Sequence, residues 1–262
     1  MIEIDYRLYL VFVLVFSVSY AALRFWVTRA KQAGLSGKDI HKPHHPEVAE
    51  MGGLPVVFAF IVGVFVYLAV RVFMFGSHAN SESIFAIVLA VLLAAVIGMV
   101  DDILGWKIGL RQWQKPALTL LVAFPIMAVD AGVRVMHIPF FGQVNLGLLY
   151  PFIVIPAVVL IGSNGTNMLA GYNGLEAGLA VIIISTLGWL SYTNGLAWVA
   201  ALCVLMLIAV LTFLLFNKFP AKVFPGDTFT YATGAFIAAI VIFADLEKAF
   251  LILFIPFVIE FF

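Results

Sequence analysis

Residues 84–102, IFAIVLAVLLAAVIGMVDD, decide the fold. Seventeen apolar or small residues run unbroken from Ile84 to Val100 and stop at two adjacent carboxylates, Asp101 and Asp102. A surface helix of a soluble protein carries a polar face; this stretch has none. At 1.5 Å per residue it reaches about 26 Å, most of the roughly 30 Å hydrocarbon layer of a bilayer. Comparable runs lie at 8–27, 52–75, 116–131, 148–163, 177–191, 196–216, 228–243 and 249–262, which makes nine. None alternates as a barrel strand does, and a helix satisfies its own backbone in lipid, so the expected fold class is an all-α integral membrane protein, a polytopic helix bundle.

Composition agrees. Of 262 residues, 64% are hydrophobic and 11% charged, with a mean hydropathy of +1.14, well outside the range of water-soluble domains. Lys plus Arg and Asp plus Glu number 14 each, so no overall field points to nucleic acid. The single cysteine, Cys203, lies inside an apolar run. The first run ends in a basic loop without a small-residue cleavage site and reads as a retained helix, not a leader. The last stops at Phe262 with no polar tail, which suggests a chain truncated at its C-terminus. With no internal repeat, residues 1–262 read as one transmembrane domain.

Alternating the spans puts loops 28–51, 101–115, 164–176 and 217–227 on one side. With Arg24 at the adjoining helix end, that side carries 10 of the 14 basic residues, including Lys38, Lys42, Lys107, Arg111, Lys115, Lys218 and Lys222. The positive-inside rule makes it cytoplasmic and leaves the N-terminus outside. On the opposite side, Pro139 to Gly147 alternates polar and apolar residues around a glycine and reads as a small hairpin.

The acids that need explaining also lie on the basic side. Asp101 and Asp102 end a helix, where the backbone dipole is already negative, so they repel it and each other unless a cation compensates; two solvated loop acids are the plain alternative. In SNGTNMLAGYNGLEAG, residues 163–178, Asn164 and Asn167 share a helix face if the preceding helix continues, and their amides suit a metal, a phosphate or a base edge. Asn173-Gly174 supplies a turn, although an ordinary Asn/Gly-rich loop would read the same way, and Glu176 suits the N-terminal turn of the next helix. Phe224-Pro225-Gly226-Asp227 precedes another apolar run; Asp227 is placed as a helix N-cap, and such an entrance also suits a metal-bridged diphosphate.

The first loop, GKDIHKPHHPEVAEMGGLP at 37–55, holds Asp39, His41, Lys42, His44, His45, Glu47 and Glu50. Its H-x-x-H-H spacing fits no usual zinc ligand set, so a substrate-contacting loop is the better reading. Aspartate and asparagine oxygens suit magnesium, which is commonly held by one or two carboxylates plus substrate phosphates. Lys107, Arg111 and Lys115 offer the charge that a diphosphate needs. Together these parts suit phosphoryl transfer at a membrane surface.

These motifs carry a resemblance. The Asp101-Asp102 pair, the block Asn164 to Gly178, the FxGD block Phe224 to Asp227, and GxDxxK at Gly37 to Lys42 with Glu-x-x-Gly at Glu50 to Gly53 stand in the order seen in the polyprenyl-phosphate N-acetylhexosamine-1-phosphate transferases (glycosyltransferase family 4). AGxNGLEAG is most similar to the dolichyl-phosphate N-acetylglucosamine-1-phosphotransferase branch.

The resemblance implies a ten-helix, often dimeric enzyme, nine of whose spans are visible here, with its active site on the cytoplasmic face. It would move GlcNAc-1-phosphate from UDP-GlcNAc to a dolichyl-type polyprenyl phosphate, release UMP and so start glycan assembly, as in N-glycosylation. Magnesium, or manganese in its place, would be held by Asn167 and Asp227. Asp101 and Asp102 would be catalytic, as positioning groups or as a base, and Lys115 would bind phosphate, with Lys107 as the alternative because the loop after Asp102 is longer than in the eukaryotic enzymes. Ile40, Glu50, Gly171, Asn173 and Phe224 would form the nucleoside pocket, with Asp39 and Asn164 as further substrate contacts. The tenth helix and the basic loop before it are not in this sequence.

Two other readings fit less well. An ion or solute transporter would want polar groups at mid-depth, and here they sit at helix ends on one side. An intramembrane aspartyl protease would resemble GxGD, and Phe224-Pro225-Gly226-Asp227 lacks the first glycine.

Overall fold

The computed structural model describes residues 6–40, 42, 44–138 and 142–261. The chain is a helix bundle. Its elements are α1 (Tyr6–Gln32), α2 (Gly53–Ala69, prolonged by a π-helical turn Val70–Met74), α3 (Ser81–Ile108), α4 (Gln114–Ala128), α5 (Ile155–Met168, entered through a π-helical turn Tyr150–Val154), α6 (Leu175–Thr193), α7 (Ala197–Asn217), α8 (Gly226–Phe243), α9 (Glu247–Leu253) and α10 (Ile255–Phe261). Among the described residues, seven stretches are long and apolar enough to cross a membrane: Arg7–Gln32, Gly53–Met74, Ser81–Gly105, Tyr150–Met168, Leu175–Thr193, Ala197–Asn217 and Gly226–Phe243.

The two remaining apolar runs differ from expectation. The fourth, α4, has only 15 residues. The ninth is not one helix but two of seven residues, parted at Phe254. Pro256 explains the break, because its ring nitrogen has no proton for the carbonyl one turn back and crowds the preceding turn.

Two short ribbons complete the fold. β1 (Ser36–Lys38) pairs antiparallel with β2 (Glu47–Ala49), and β3 (Val135–Ile138) pairs with β4 (Gly142–Asn145). The second is the expected hairpin, but its first strand lies upstream of the proposed segment; Pro139, Phe140 and Phe141 fall outside the described residues.

α8 is the centre of the bundle, and every residue from 228 to 242 is buried. It is apolar or small all round, as a helix walled on all sides must be. Glycines let its neighbours close in. A methyl group at Gly98 of α3 would lie 2.6 Å from Thr228 Cα, and one at Gly162 of α5 would lie 2.8 Å from the Gly234 carbonyl oxygen. The C-terminal ends of α1, α3, α5 and α7 meet the N-terminal ends of α2, α4, α6 and α8 at one end of the bundle. Main-chain bonds stitch that end together: Phe224 N–H donates to Ala49 O at 2.7 Å, Gly52 N–H to Phe224 O at 2.8 Å and Gly53 N–H to Pro225 O at 2.9 Å.

Candidate active site

The sequence suggests Asp227 as the N-cap of α8, and the structure corrects this. The helix starts at Gly226, so Asp227 lies in its first turn, and the cap comes from another helix. Asp102 of α3 accepts the Asp227 N–H on Oδ1 at 2.7 Å, and the Thr228 N–H and hydroxyl on Oδ2 at 2.9 and 2.6 Å. Gly226 turns the chain at φ +70°, and a Cβ there would sit 2.7 Å from the Asp102 carboxylate. Asp101 and Asp102 lie in the last turn before α3 breaks at Gly105 (φ 67°, ψ 174°), close to the helix end that the sequence indicates.

The Asp227 side chain, relieved of capping, meets Lys115 at the start of α4. Lys115 Nζ lies 3.1 Å from Asp227 Oδ2 and 2.5 Å from Asp101 Oδ2. The other oxygen of Asp101 accepts the Leu110 N–H at 2.7 Å, which folds the segment after Gly105 back over the site. Lys115 therefore stands between two of the expected aspartates; the side chain of Lys107, the alternative, lies outside the described residues.

α5 does continue through Asn164 and Asn167. Asn167 Oδ1 lies 2.9 Å from the Thr230 hydroxyl, which also stands 3.1 Å from Asp227 O, so the asparagine is tied to the same turn of α8. Asn164 departs from expectation as a substrate contact. Its amide donates to Thr119 Oγ1 of α4 and to Leu160 O, both at 2.9 Å, and it lines neither cavity of the site. It is a strut between α5 and α4.

Two cavities meet at Asp227. One of about 340 Å³ is lined by Asp39, Ile40, Gly171, Asn173 and Phe224, together with Asn167 and Asp227. The other, of about 530 Å³, is lined by Glu50, Asp101, Asp102, Lys115 and Leu110, and again by Phe224, Gly226 and Asp227. Ile40, Gly171, Asn173 and Phe224 thus line one cavity. Glu50 does not join them: it faces the second cavity. Its carboxyl is held above the usual range, first by burial and then by the nearby charge of Asp102.

The first cavity is held by a latch between loops. Asp39, only 2% exposed, pairs with Lys42 at 2.7 Å and accepts the Asn173 amide at 3.1 Å. Lys42 lies 5.5 Å over the Phe219 ring. Asn217, at the end of α7, accepts the Gly174 N–H at 3.0 Å and donates to Val223 O at 2.9 Å. Glu176 accepts the Gly171 N–H at 2.9 Å and so fixes a backbone at φ +115° that favours glycine. Sequence reasoning does not single out Thr228, Thr230 or Asn217 as site residues. A signal for Thr230 exists, since it follows Asp227 by three residues on a helix.

The donor set suits a hard divalent cation. Among the described residues, four carboxyl groups and one ammonium line the second cavity, an excess of negative charge that would repel phosphate without a cation. Among the same residues no group of three or more His, Cys, Asp or Glu is arranged to hold a metal by itself, and His41 of the histidine cluster lies outside them. One or two carboxylates completed by substrate phosphates is how magnesium is usually bound.

Residues 84–245 match the family model for glycosyl transferase family 4. Over 249 residues the chain is 38% identical to a Saccharolobus solfataricus protein provisionally named UDP-N-acetylglucosamine–dolichyl-phosphate N-acetylglucosaminephosphotransferase, covering 94% of this chain and 74% of that one. A Sulfolobus acidocaldarius protein of the same provisional name is 33% identical over 252 residues, with the same coverage. A phospho-N-acetylmuramoyl-pentapeptide-transferase of Lactobacillus delbrueckii is 34% identical over 190 residues, 69% of this chain and 58% of that one. The chain belongs to glycosyl transferase family 4.

Proposed function

We propose that this chain transfers N-acetylglucosamine 1-phosphate from UDP-N-acetylglucosamine to a dolichyl-type polyprenyl phosphate and releases UMP. One observation carries the reading: Asp227 stands where the cavity lined by Ile40, Gly171, Asn173 and Phe224 joins a carboxylate-rich one, with Lys115 and Asp101 beside it. Two archaeal relatives of matching provisional name support it.

In this reading the uridine lies against Ile40, Gly171, Asn173 and Phe224, and the diphosphate crosses the junction. Asp227 and Asn167 would hold magnesium, which would supply charge neutralisation to the diphosphate. An oxygen of the lipid phosphate attacks the sugar-linked phosphorus. A new P–O bond forms, the bond to the bridging oxygen breaks, and UMP leaves with the electron pair. A phosphate monoester with a second pKa of about 6 is already mostly dianionic at neutral pH, so attack needs no proton acceptor. Lys115 steadies the phosphate charge, and Asp101 orients Lys115. The whole chain is one catalytic membrane domain. Its site faces the cytoplasm, a reading supported by the basic loops that flank it.

The test is purified protein in detergent with radiolabelled UDP-N-acetylglucosamine, dolichyl phosphate and magnesium. Lipid-linked sugar and UMP should form in equal amounts, and Asp227→Ala should abolish both. No product from the unmodified chain, with that substrate or with UDP-N-acetylgalactosamine offered in parallel, would reject the proposal.

A further inference from the structure

Asp101 orients Lys115 in the proposed function, and the surroundings of Asp102 differ from those of Asp101. Asp101 accepts one backbone N–H and faces a lysine half open to the site. Asp102 accepts three donors, all from the first turn of α8. A carboxylate offers about four lone-pair sites, so most of its capacity is used, and protonating it would break a bond to α8. The first N–H groups of a helix have no partner in their own helix, and a buried donor left unmet is destabilising.

Gly98 adds an independent observation. It precedes Asp102 by four residues, hence lies on the same face of α3, and has room only for hydrogen against the backbone of Asp227 and Thr228. One turn of α3 therefore grips the main chain of Asp227 at two points, through close contact at Gly98 and through charge at Asp102.

We infer that Asp102 is a positioning residue, not a proton acceptor: it fixes the first turn of α8 so that the Asp227 side chain is aimed at the junction of the two cavities. This rests on the proposed function, because Asp227 matters as a metal ligand only there. Asp102 acts through the α8 backbone, Asp227 presents its side-chain carboxylate beside Lys115, and Thr228 shares the load through its hydroxyl.

The experiment uses the full chain in detergent. Manganese alone is titrated by electron paramagnetic resonance, and binding of UMP is measured without metal. The expected result for Asp102→Asn is manganese affinity weakened roughly 10–100-fold, the usual cost of losing a residue that orients a ligand, with UMP affinity unchanged. The asparagine presents an NH₂ where a backbone N–H already points, so it cannot imitate the carboxylate. Thr228→Val, a milder loss, should weaken manganese in the same direction, and Thr228→Ser should restore it. Unchanged manganese affinity with turnover lost would overturn the inference and make Asp102 a group of the reaction itself. Equal loss of manganese and UMP binding would overturn it in favour of a general structural role. Should Asp102→Asn not fold, the Thr228 pair decides by the same criteria. Failure of the unmodified chain to bind either probe would count instead against the proposed function.

Discussion

The ammonium of Lys115 lies 3.1 Å from the carboxylate of Asp227, the position a bound cation would contest. Because the same ammonium also touches Asp101, it offsets part of the charge of both carboxylates in the absence of metal. Lys115→Met is therefore expected to bind manganese alone more tightly, by roughly tenfold, equivalent to a coupling of about 1.4 kcal/mol, while product formation collapses. A titration of the metal-free variant checks this. Weaker binding would mean that the lysine assists the metal site and does not compete for it.

The latch of Asp39 and Lys42 is a buried pair, with side chains 2% and 9% exposed. Removing one partner strands the other, a loss of several kcal/mol for buried pairs, whereas removing both avoids the stranded charge. Lys42→Met should lower the thermal midpoint and raise KM for the UDP-sugar with kcat little changed. The double variant with Asp39→Asn should recover most of the midpoint. A double variant no more stable than Lys42→Met would show that the pair is not what holds the loops.

Glu50 gives a pH signature. Its carboxyl is raised by burial and by Asp102, so the stability linked to it is fully present below the ordinary glutamate range, about pH 4.3, and is lost as pH rises through the raised value. Glu50→Gln has no such dependence. Thermal scans should show the variant gaining on the wild type as pH rises from that range towards neutrality; a constant difference would contradict the assigned environment.

Two glycines should behave oppositely. Gly98→Ala forces a methyl group against the Thr228 backbone, 2.6 Å from its Cα, and should cost about 1–3 kcal/mol in stability. Gly178, on α6, has open space where a Cβ would stand, with nothing within 4 Å, so Gly178→Ala should be neutral or stabilising by up to about 1 kcal/mol. Denaturation of both variants in the same detergent makes the comparison.

The bundle was legible because lipid imposes long apolar runs, and seven of them have membrane-crossing length. The spacing of the polar blocks also placed Asp101, Asn167, Asn173, Phe224 and Asp227 at one end. What the sequence left open was the direction of side chains at helix ends, which depends on how neighbours rotate and pack. Asn164 turned to Thr119, Glu50 to the second cavity and Asp102 to a helix 125 residues further on. None of these follows from periodicity within one segment. The break at Phe254 was marked by Pro256, but a hydropathy count passes over a single proline.

The burial of α8 divides the molecule into fixed and moving parts. A post walled by α2, α3 and α5 and locked by backbone-to-glycine contacts has no slack to slide or turn, so Asp227 belongs to the slowest-exchanging portion of the chain. Opening to admit a nucleotide or discharge a product is therefore expected of the segments around this pillar and not of the pillar itself.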